Sequence, residues 1–405
     1  MPAKLDDVLA ARARLADVIH ATPCPHSETL SAMTGARVFV KLENQQITGS
    51  FKERGAANIL ALLSSSERRR GVVAASAGNH GLAVAVHAGR LGVTAVIAMP
   101  SWAPVSKVTA ARRQGAEVIL HGDNYDEAYA RAKEIEAERD LIFIHPFDDP
   151  RVIAGQGTIG LELAEQVPNL DAVLVPVGGG GLIGGLALAL KAVRPAARVI
   201  GVQAEEIASM KAALAAGQRV LVPPAATIAD GIAVRRVGEH TFDLARRYVD
   251  DVVTVGEEEI ANAILLHLEI EKTVVEGAGA VPLAALVNKR VALAGKTVVL
   301  VLSGGNIDVN LIALIIERGL VKDGRLVRFS VLLRDRPGAL ARLAALVAEA
   351  RANVLHIHHD RAFSRARVGE SAVELTLETS GREQIESIKR HLADAGYVVE
   401  EMPRR

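Results

Sequence analysis

The chain has 405 residues, which exceeds the size at which a single hydrophobic core keeps growing, so two or three domains are expected. Half of the residues are hydrophobic, the formal net charge is zero and aromatic residues make up only 3%, a composition that argues against nucleic-acid partners and charge-driven membrane binding. The only cysteine is Cys24 and the N-terminal segment lacks an uninterrupted apolar run, so we expect no disulfide framework, no signal peptide, no membrane span and a cytoplasmic location.

Short apolar, β-branched segments alternate with longer helical ones beyond residue 37. The predicted strands cover residues 38–41, 72–75, 94–99, 117–120, 141–144, 172–175, 199–203, 252–255 and 297–302. Because these strands lack polar alternation and each precedes a helical segment, they indicate parallel sheets covered on both faces. So many strands are unusual for one compact sheet. We therefore predict an α/β fold of two open domains with a cleft between them, where ligands bind at the carboxyl ends of strands.

The organisation of the chain changes after residue 320. Residues 1–320 are predicted to form the α/β core, with a smaller α/β subdomain over about residues 50–150 inserted in the larger one. Residues 321–325 form a turn-like linker. The remaining residues, 326–405, have the predicted order strand, helix, strand, strand, helix, strand. This ferredoxin-like βαββαβ order indicates a separate domain.

The segment Ser50-Phe51-Lys52 lies directly before a helical run. A lysine with its usual pKa of about 10.4 is a poor nucleophile at neutral pH, but burial, a second positive charge or the positive end of a helix lowers that pKa. Lys52 is therefore a candidate imine-forming amine, and a solvated surface lysine is the alternative. The next residue, Glu53, is either a favourable anion in a first helical turn or a group that alters the field at Lys52.

The segment from Gly178 to Gly181 follows one predicted strand and opens a helix at Leu182. Four residues without Cβ atoms let backbone N–H groups converge on an anion, and the helix N-terminus adds a favourable field. No Lys-Ser/Thr pair follows and the glycines are not spaced as in a dinucleotide fingerprint. A phosphate monoester is the preferred occupant, and a flexible turn is the alternative.

Two further polar loops follow predicted strands. Ser76-Ala77-Gly78-Asn79-His80 combines a hydroxyl, an amide, an imidazole and a helix N-terminus, which suits a carboxylate, although an ordinary helix cap has the same composition. Ser303-Gly304-Gly305-Asn306 closes the last strand of the core. The Ser303 hydroxyl can hydrogen-bond a ligand nitrogen there, while a plain strand-to-helix turn with Asn306 as the helix cap is the alternative.

These four motifs, in this order and separation, resemble the fold-type II enzymes that use pyridoxal 5′-phosphate, specifically the threonine/serine dehydratase and serine racemase family. The resemblance implies that Lys52 forms an imine with the cofactor and removes the substrate's α-proton. It implies that Phe51 packs against the cofactor ring, that Asn79 bonds the ring hydroxyl and that Ser303 bonds the ring nitrogen. It also assigns the phosphate to the backbone of Gly178, Gly179, Gly180, Gly181 and Leu182, and the substrate carboxylate to Ser76, Asn79 and His80.

The same resemblance implies deamination of L-threonine to 2-oxobutanoate and ammonia by α,β-elimination, with L-serine as a secondary substrate. Racemases of this group carry a serine as second base where this chain has Ala77, and a polar amide where it has Phe147, so both positions favour dehydration. Glu205 matches the racemase cation site, but Lys211 stands where an aspartate ligand is expected, so we predict no metal. An L-serine dehydratase, a 3-hydroxyaspartate ammonia-lyase and a non-catalytic amino-acid sensor remain alternatives.

The C-terminal domain carries the segment Arg334-Asp335-Arg336-Pro337-Gly338-Ala339-Leu340, which resembles the ACT domain signature. ACT domains pair edge to edge and bind amino acids near this loop, so the resemblance implies a homodimer or homotetramer controlled by an amino acid. Isoleucine or valine is the expected effector, and the enzyme is expected to act in isoleucine biosynthesis. Strand alternation puts His356 and His358 on one face, but without neighbouring carboxylates or thiolates they do not indicate zinc.

Overall fold

The computed structural model describes residues 3–76, 78–360 and 367–402, and its contacts divide the chain into two units, Met1–Ile307 and Asp308–Arg405. Ala77, whose lack of a proton-accepting side chain supports the predicted dehydration, lies outside the described residues. In the described part of the chain, no helix combines the length and the apolar character needed to cross a membrane.

The first unit alternates helices with strands along most of its length. Its first half comprises α1 (Leu5–Leu15), β1 (His26–Ser27), α2 (Glu28–Thr34), β2 (Arg37–Leu42), α3 (Lys52–Ala61), α4 (Ser65–Arg70), β3 (Val72–Ala75), α5 (Asn79–Arg90), β4 (Ala95–Met99), α6 (Val105–Arg113), β5 (Glu117–Leu120), α7 (Tyr125–Arg139) and β6 (Ile142–Phe143). Its second half comprises α8 (Pro150–Gln166), β7 (Ala172–Pro176), α9 (Gly181–Val193), β8 (Arg198–Ala204), α10 (Ser209–Ala216), α11 (Glu239–Tyr248), β9 (Asp251–Val255), α12 (Glu257–Glu269), α13 (Gly277–Val287) and β10 (Thr297–Leu302). Short 3-10 turns occupy Glu43–Gln45, Glu205–Ile207 and Asp230–Ile232.

The strands of this unit form two sheets, which confirms the predicted α/β class. The larger sheet has the order β1-β2-β10-β7-β8-β9 and the smaller one the order β5-β4-β3-β6. Every pairing is parallel except that of β1 with β2. Each predicted core strand is present, with ends that differ from the predicted ones by at most one residue. The two-residue β1 was missed because it is too short to show a period.

The smaller sheet is formed by a segment that lies between β2 and β7 in sequence. Its strands β3 and β4 are buried along their whole length, as expected for parallel strands with helices on both faces. Local sequence fixes the helix ends: Asp149 caps α8 by accepting from the backbone N–H of Arg151, and Pro150 occupies the first turn, where a missing N–H costs nothing. The carboxyl ends of β3, β7 and β10 each lead into one of the polar motifs.

The second unit begins with α14 (Val309–Lys322) and continues as β11 (Leu326–Arg334), α15 (Ala339–Glu349), β12 (Asn353–Asp360), β13 (Glu370–Glu378), α16 (Arg382–Asp394) and β14 (Val399–Glu401). The strands form an antiparallel sheet of order β12-β13-β11-β14, so the predicted βαββαβ domain is confirmed. Alternate residues of β11 and β13 are buried with one face of α15 and α16. By contacts α14 belongs to this unit, and the proposed boundary at residues 321–325 stays a prediction.

Candidate active site

Lys52 is the first residue of α3, and the two residues before it pair with the backbone that directly follows β10, the last core strand. The backbone N–H of Phe51 donates to the carbonyl oxygen of Ser303 at 2.9 Å, and Ser50 forms an isolated antiparallel bridge with Gly304. Two motifs that are far apart in sequence therefore meet at one point. The buried Ser303 thus lies beside the lysine segment, as its proposed role at the cofactor ring requires.

The Lys52 amine lies in a partly buried, weakly polar setting. Its Nζ donates to the carbonyl oxygen of Pro146 at 2.8 Å and lies 5.3 Å from the ring centroid of Phe51. Burial lowers the pKa of Lys52 to about 8, although the negative charge of Glu276 works in the opposite direction. With this pKa roughly a fifth of the amine is neutral at about pH 7.4, against about a thousandth for an ordinary lysine, so the lone pair that a nucleophile or proton acceptor needs is available.

The glycine run lies between β7 and α9 and leaves no room for side chains. A Cβ on Gly179 would lie 2.4 Å from the ring of Phe147, and one on Gly181 would lie 2.8 Å from the Phe147 carbonyl oxygen. Gly180 has a φ of +96°, a region that other residues rarely adopt. The run therefore presents only backbone at the start of α9, where N–H groups are free to bind an anion. Leu182, the next residue, is buried in the helix.

The glycine run is anchored from the opposite side by α11. Asp148 accepts hydrogen bonds from the backbone N–H groups of Glu239 at 2.8 Å and Thr241 at 3.1 Å. The Thr241 hydroxyl donates to the carbonyl oxygen of Gly179 at 2.6 Å. Pro146, Phe147 and Asp148 are consecutive, so a single segment connects the Lys52 amine with the glycine run.

Asn79 joins the two remaining motifs. It is the first residue of α5, its Nδ2 donates to both carboxylate oxygens of Glu276 at 2.8 and 3.0 Å, and its Oδ1 accepts from Asn306 Nδ2 at 2.7 Å. The Ser76 hydroxyl oxygen accepts from the backbone N–H of Gly78 at 3.1 Å and so shapes the turn before the helix. Three of the sequence motifs therefore contact one another around Lys52 and Asn79, and the glycine run is connected to Lys52 through the segment from Pro146 to Asp148.

His80 is also in this region, but its ring is turned into the protein. Its Nε2 donates to the carbonyl oxygen of Ile144 at 2.9 Å, and burial lowers the pKa of His80 to about 3. The ring is therefore neutral and cannot supply a positive charge to a carboxylate. Its predicted contribution to substrate binding stays a prediction.

Glu276 was missed by the sequence reasoning. It lies directly before α13, it is 5% exposed, and burial raises its pKa to about 7 against the opposing effect of the Asn79 hydrogen bond. The signal was present, because this residue is the single acid in the otherwise apolar stretch 274–287. A charged residue inside such a run needs a partner, and a functional cleft commonly provides one.

Glu53 has its own partners. One carboxylate oxygen accepts from the Thr48 backbone N–H at 3.0 Å and the other contacts Nε2 of His87 at 3.1 Å. Burial would raise the pKa of Glu53, but the hydrogen bonds from His87 and Thr48 outweigh it and hold the pKa below its usual range. Both contacts lie outside the first turn of α3, so the two interpretations of Glu53 stay predictions.

The cation site of the racemase branch has no counterpart here that the structure records. Glu205 and Lys211 are both exposed. Within residues 3–76, 78–360 and 367–402, no three His, Cys, Asp or Glu side chains gather in a way that could hold a metal ion. The prediction that no metal binds stays a prediction.

The second unit contains a cavity of about 380 Å³. It is lined by residues 333–340, which include the ACT-like segment, together with His359 and Ser371. His359 Nε2 lies 2.9 Å from the Ser371 hydroxyl. Cavities of this size are typical of small-ligand sites.

The residues of the core fit pyridoxal phosphate. A lysine amine of depressed pKa suits the aldehyde of that cofactor, and a backbone cradle that any Cβ would fill suits its phosphate. The Ser303 segment is hydrogen-bonded to the lysine segment, and Asn79 is hydrogen-bonded to Asn306 of the same strand-end motif, so both could offer polar groups to the ring.

Comparisons with known proteins agree with this fit. Residues 15–304 match the family described as pyridoxal-phosphate dependent enzyme, and residues 327–396 match the ACT domain. An L-threonine ammonia-lyase of Thermotoga maritima is 51% identical over 98% of both chains, and one of Geobacter sulfurreducens is 49% identical over 98% of this chain and 97% of that protein. The structure of maize serine racemase superimposes with a TM-score of 0.74 at 35% identity, covering 80% of this chain and 99% of that one.

Proposed function

Since the chain belongs to the family of pyridoxal-phosphate-dependent enzymes and carries a C-terminal ACT domain, we propose that it is an L-threonine ammonia-lyase. It converts L-threonine to 2-oxobutanoate and ammonia by α,β-elimination and takes L-serine as a secondary substrate. The observation that carries the proposal is the Lys52 amine, with its pKa of about 8, in the same cleft as the glycine run. The choice of L-threonine rests on the two relatives of about 50% identity that bear this activity in their names.

Pyridoxal phosphate, when bound, supplies an electron-withdrawing ring that stabilises negative charge at the α-carbon of an amino acid. The chain's own contribution begins at Lys52 Nζ, which is neutral often enough to accept the α-proton. The carbonyl of Pro146 accepts from this amine and so limits the directions in which it points. Lys52 then holds the proton that the substrate has lost.

The remaining side chains bind and orient. Backbone N–H groups at Gly178, Gly179, Gly180, Gly181 and Leu182 hold the phosphate, because the glycines admit it where a Cβ would not fit. Phe51 would pack beside the ring, Ser303 would bond the ring nitrogen and Asn79 would bond the ring hydroxyl. Ser76, Asn79 and His80 frame the substrate carboxylate at the start of α5, where the helix N-terminus favours an anion. The neutral His80 contributes shape only, since its one N–H donates to Ile144 and leaves no side-chain donor for a carboxylate.

A 2-oxo acid assay on purified holoenzyme tests this function. We expect release of 2-oxobutanoate and ammonia from L-threonine, with a lower kcat/KM for L-serine and for 3-hydroxyaspartate. A higher kcat/KM for L-serine or 3-hydroxyaspartate would replace the substrate but keep the reaction class. A protein that binds cofactor and amino acids yet releases no 2-oxo acid would be an amino-acid sensor, and the proposal would be wrong.

The ACT domain supports a second proposal, that a branched-chain amino acid, isoleucine or valine, binds in its cavity and controls the enzyme. The cavity of about 380 Å³ suits a single amino acid, and the polar pair His359 and Ser371 suits one of its charged ends. Calorimetry of holoenzyme with each amino acid tests this. His359→Ala is expected to weaken binding about tenfold, whereas His356→Ala, on the same strand but the opposite face, is expected to leave it unchanged. No heat of binding and no kinetic effect with either amino acid would contradict the proposal.

The setting of the enzyme is also proposed. We infer a homo-oligomer, dimeric or tetrameric, because ACT domains commonly pair through their sheets. The single cysteine supports a cytoplasmic location, where a free thiol is stable, and control by isoleucine would place the enzyme in isoleucine biosynthesis. Light scattering of the holoenzyme with and without effector measures the oligomeric state. A monomer under both conditions would exclude this arrangement.

A further inference from the structure

Lys107 is a cation that reaches the substrate loop from outside the four motifs. It lies in the first turn of α6, and its Nζ donates to Asp230 Oδ2 at 3.2 Å. A methyl carbon built on Gly78 would lie 3.6 Å from the same Nζ, so the ammonium group faces the side of this loop on which Gly78 has no side chain. Gly78 stands between Ser76 and Asn79, two of the residues proposed to hold the substrate carboxylate.

The loop otherwise lacks positive charge for an anionic substrate. His80 is neutral and donates to a backbone carbonyl, while the Lys52 amine is directed at Pro146. Lys107 is a cation whose Nζ lies beside Gly78 of this loop, on the side that a side chain would otherwise fill. A carboxylate bound at the start of α5 therefore finds helix N–H groups and, beside them, one ammonium group with three hydrogen-bond donors.

The ion pair of Lys107 with Asp230 can be replaced by an ion pair with another carboxylate. The Asp230 side chain is 65% exposed and that of Lys107 is 23% exposed, and an ion pair with so exposed a partner contributes little to stability. Asp230 begins the 3-10 turn Asp230–Ile232, which also approaches Gly178 of the glycine run. The pair thus lies at the rim of the cleft, where an incoming carboxylate competes with Asp230 for the same ammonium group.

We propose that Lys107 binds the α-carboxylate of the amino-acid substrate, and that Asp230 keeps its ammonium group beside Gly78 until the substrate arrives. The inference rests on the proposed deamination and adds to it a substrate-binding residue that selects for a free carboxylate. Nζ–H groups donate to the carboxylate oxygens, and no bond is made or broken at Lys107. Substrates that lack the carboxylate gain nothing from this contact.

A second ion pair supplies a matched control. Arg235 Nη1 donates to Asp126 Oδ2 at 2.8 Å and joins α7 to the chain segment that follows Asp230. This pair is similarly exposed, with side-chain values of 32% and 61%. It bridges the same parts of the first unit as the Lys107 pair does, but it is not assigned to the substrate. Asp126→Asn therefore measures what the loss of such a bridge does by itself.

The test uses holoenzyme of the natural sequence and of Lys107→Met, Lys107→Arg, Asp230→Asn and Asp126→Asn. Binding of L-threonine and of L-threoninamide, which lacks the carboxylate, is followed through the visible absorbance of the bound cofactor, and KM is measured in parallel. Lys107→Met is expected to raise Kd and KM for L-threonine about tenfold to a hundredfold, the effect of one lost charge-assisted hydrogen bond, and to leave Kd for L-threoninamide within about twofold. Lys107→Arg recovers most of the affinity, because it keeps the charge.

Asp230→Asn separates substrate binding from a purely structural bridge. If Lys107 binds the carboxylate, Asp230→Asn removes the group that competes with the substrate, so KM for L-threonine should equal that of the natural enzyme or be lower. The control Asp126→Asn should leave KM within about twofold of the natural value. Equal increases of KM in Lys107→Met and Asp230→Asn would overturn the inference, because a bridge fails whichever partner is removed. Equal losses of affinity for L-threonine and L-threoninamide in Lys107→Met would overturn it too.

The inference and the proposed function fail in different ways. If the natural enzyme distinguishes L-threonine from L-threoninamide through Lys107 but releases no 2-oxo acid from any hydroxy amino acid, the proposed function is wrong and the substrate-binding residue stands. If it deaminates L-threonine and Lys107→Met has an unchanged KM, only the inference is wrong. Cofactor content and thermal unfolding of each variant are measured first, so that a folding defect is not mistaken for either result.

Discussion

Lys52 and Arg54 are separated by a single residue at the start of α3, yet only Arg54 is hydrogen-bonded to carboxylates. The Arg54 guanidinium is fully buried and donates to Glu43 at 2.8 and 2.7 Å and to Glu162 at 2.5 and 2.9 Å. Lys41 adds a second positive charge, 2.5 Å from Glu162, so two cations face two carboxylates. Lys52 has instead one backbone carbonyl as hydrogen-bond acceptor.

This difference in charge compensation separates a structural cation from a reactive amine. Burial would lower the pKa of Arg54, but the carboxylates of Glu43 and Glu162 raise it above its usual value, so the group stays charged and fixed. At Lys52 burial prevails and the pKa falls to about 8. The nearby Glu276 compensates little, because its own pKa is raised to about 7. A compensated cation thus anchors the helix, and an uncompensated one provides a reactive amine.

Removal of the uncompensated amine is expected to have the largest effect. Lys52→Ala should lower kcat for L-threonine by about 10⁴-fold or more, because the proton acceptor and the covalent anchor disappear together. Borohydride followed by peptide mapping should label Lys52 in the natural enzyme and label nothing in the variant. Lys211→Ala, at an exposed position, is the control and should retain activity. A label on another lysine of the natural enzyme would contradict the assignment of Lys52.

Removal of the compensated cation should act on stability. Arg54→Met leaves the buried Glu43 without its cation and the partly buried Glu162 with Lys41 alone, so the free energy of unfolding should fall by about 3–5 kcal/mol. Arg12→Met is the control, since Arg12 pairs with Glu165 on the surface and its loss should cost less than about 1 kcal/mol. Urea unfolding followed by circular dichroism measures both values. Similar losses in the two variants would mean that burial does not distinguish these ion pairs.

Glu276 gives a further test of this comparison, through the pH dependence of the free energy of unfolding. Its folded pKa of about 7 lies above the ordinary value of 4.5, so the folded protein holds a proton that the unfolded chain releases. Stability is therefore full below about pH 4.5 and falls as the pH rises toward 7. In cofactor-free protein, Glu276→Gln should remove this dependence and be more stable than the natural chain above pH 7, by on the order of 1–3 kcal/mol. Parallel stability profiles of the two proteins from pH 5 to 8 would contradict the raised pKa.

Sequence reasoning found the parts of this site that are local and missed those that are distant. The glycines and Ser303 were predicted because their motifs follow predicted strands, and parallel strands bring their carboxyl ends to one edge. Lys52 was predicted because its motif opens a helical run. Glu276 and Lys107 belong to no such motif, and only the fold brings them to Asn79 and Gly78. Their identification from sequence would have required knowledge of which helices meet at the cleft.

The same limit applied to the charges of α3. The spacing of Lys52, Glu53 and Arg54 shows three charged residues at the start of one helix, with nothing to rank them. Their ranking comes from partners far along the chain, such as Glu162 for Arg54 and His87 for Glu53. Strand positions, in contrast, followed from local hydrophobic patterns and were predicted to within one or two residues.

Glu53, between the two cations, gives the smallest expected effect. Its carboxylate accepts from Thr48 and contacts His87, and its lowered pKa means that it stabilises the fold above about pH 4.5, with that contribution lost as the pH falls through the lower folded value. Glu53→Gln should therefore cost about 1 kcal/mol at pH 7, since the amide still accepts from Thr48, and the cost should shrink in acid. A double-mutant cycle with His87→Asn should show coupling between the two changes. Since the contacts of Glu53 are with Thr48 and His87, kcat should stay within about twofold. A fall in kcat without a loss of stability would show instead that Glu53 sets the field at Lys52.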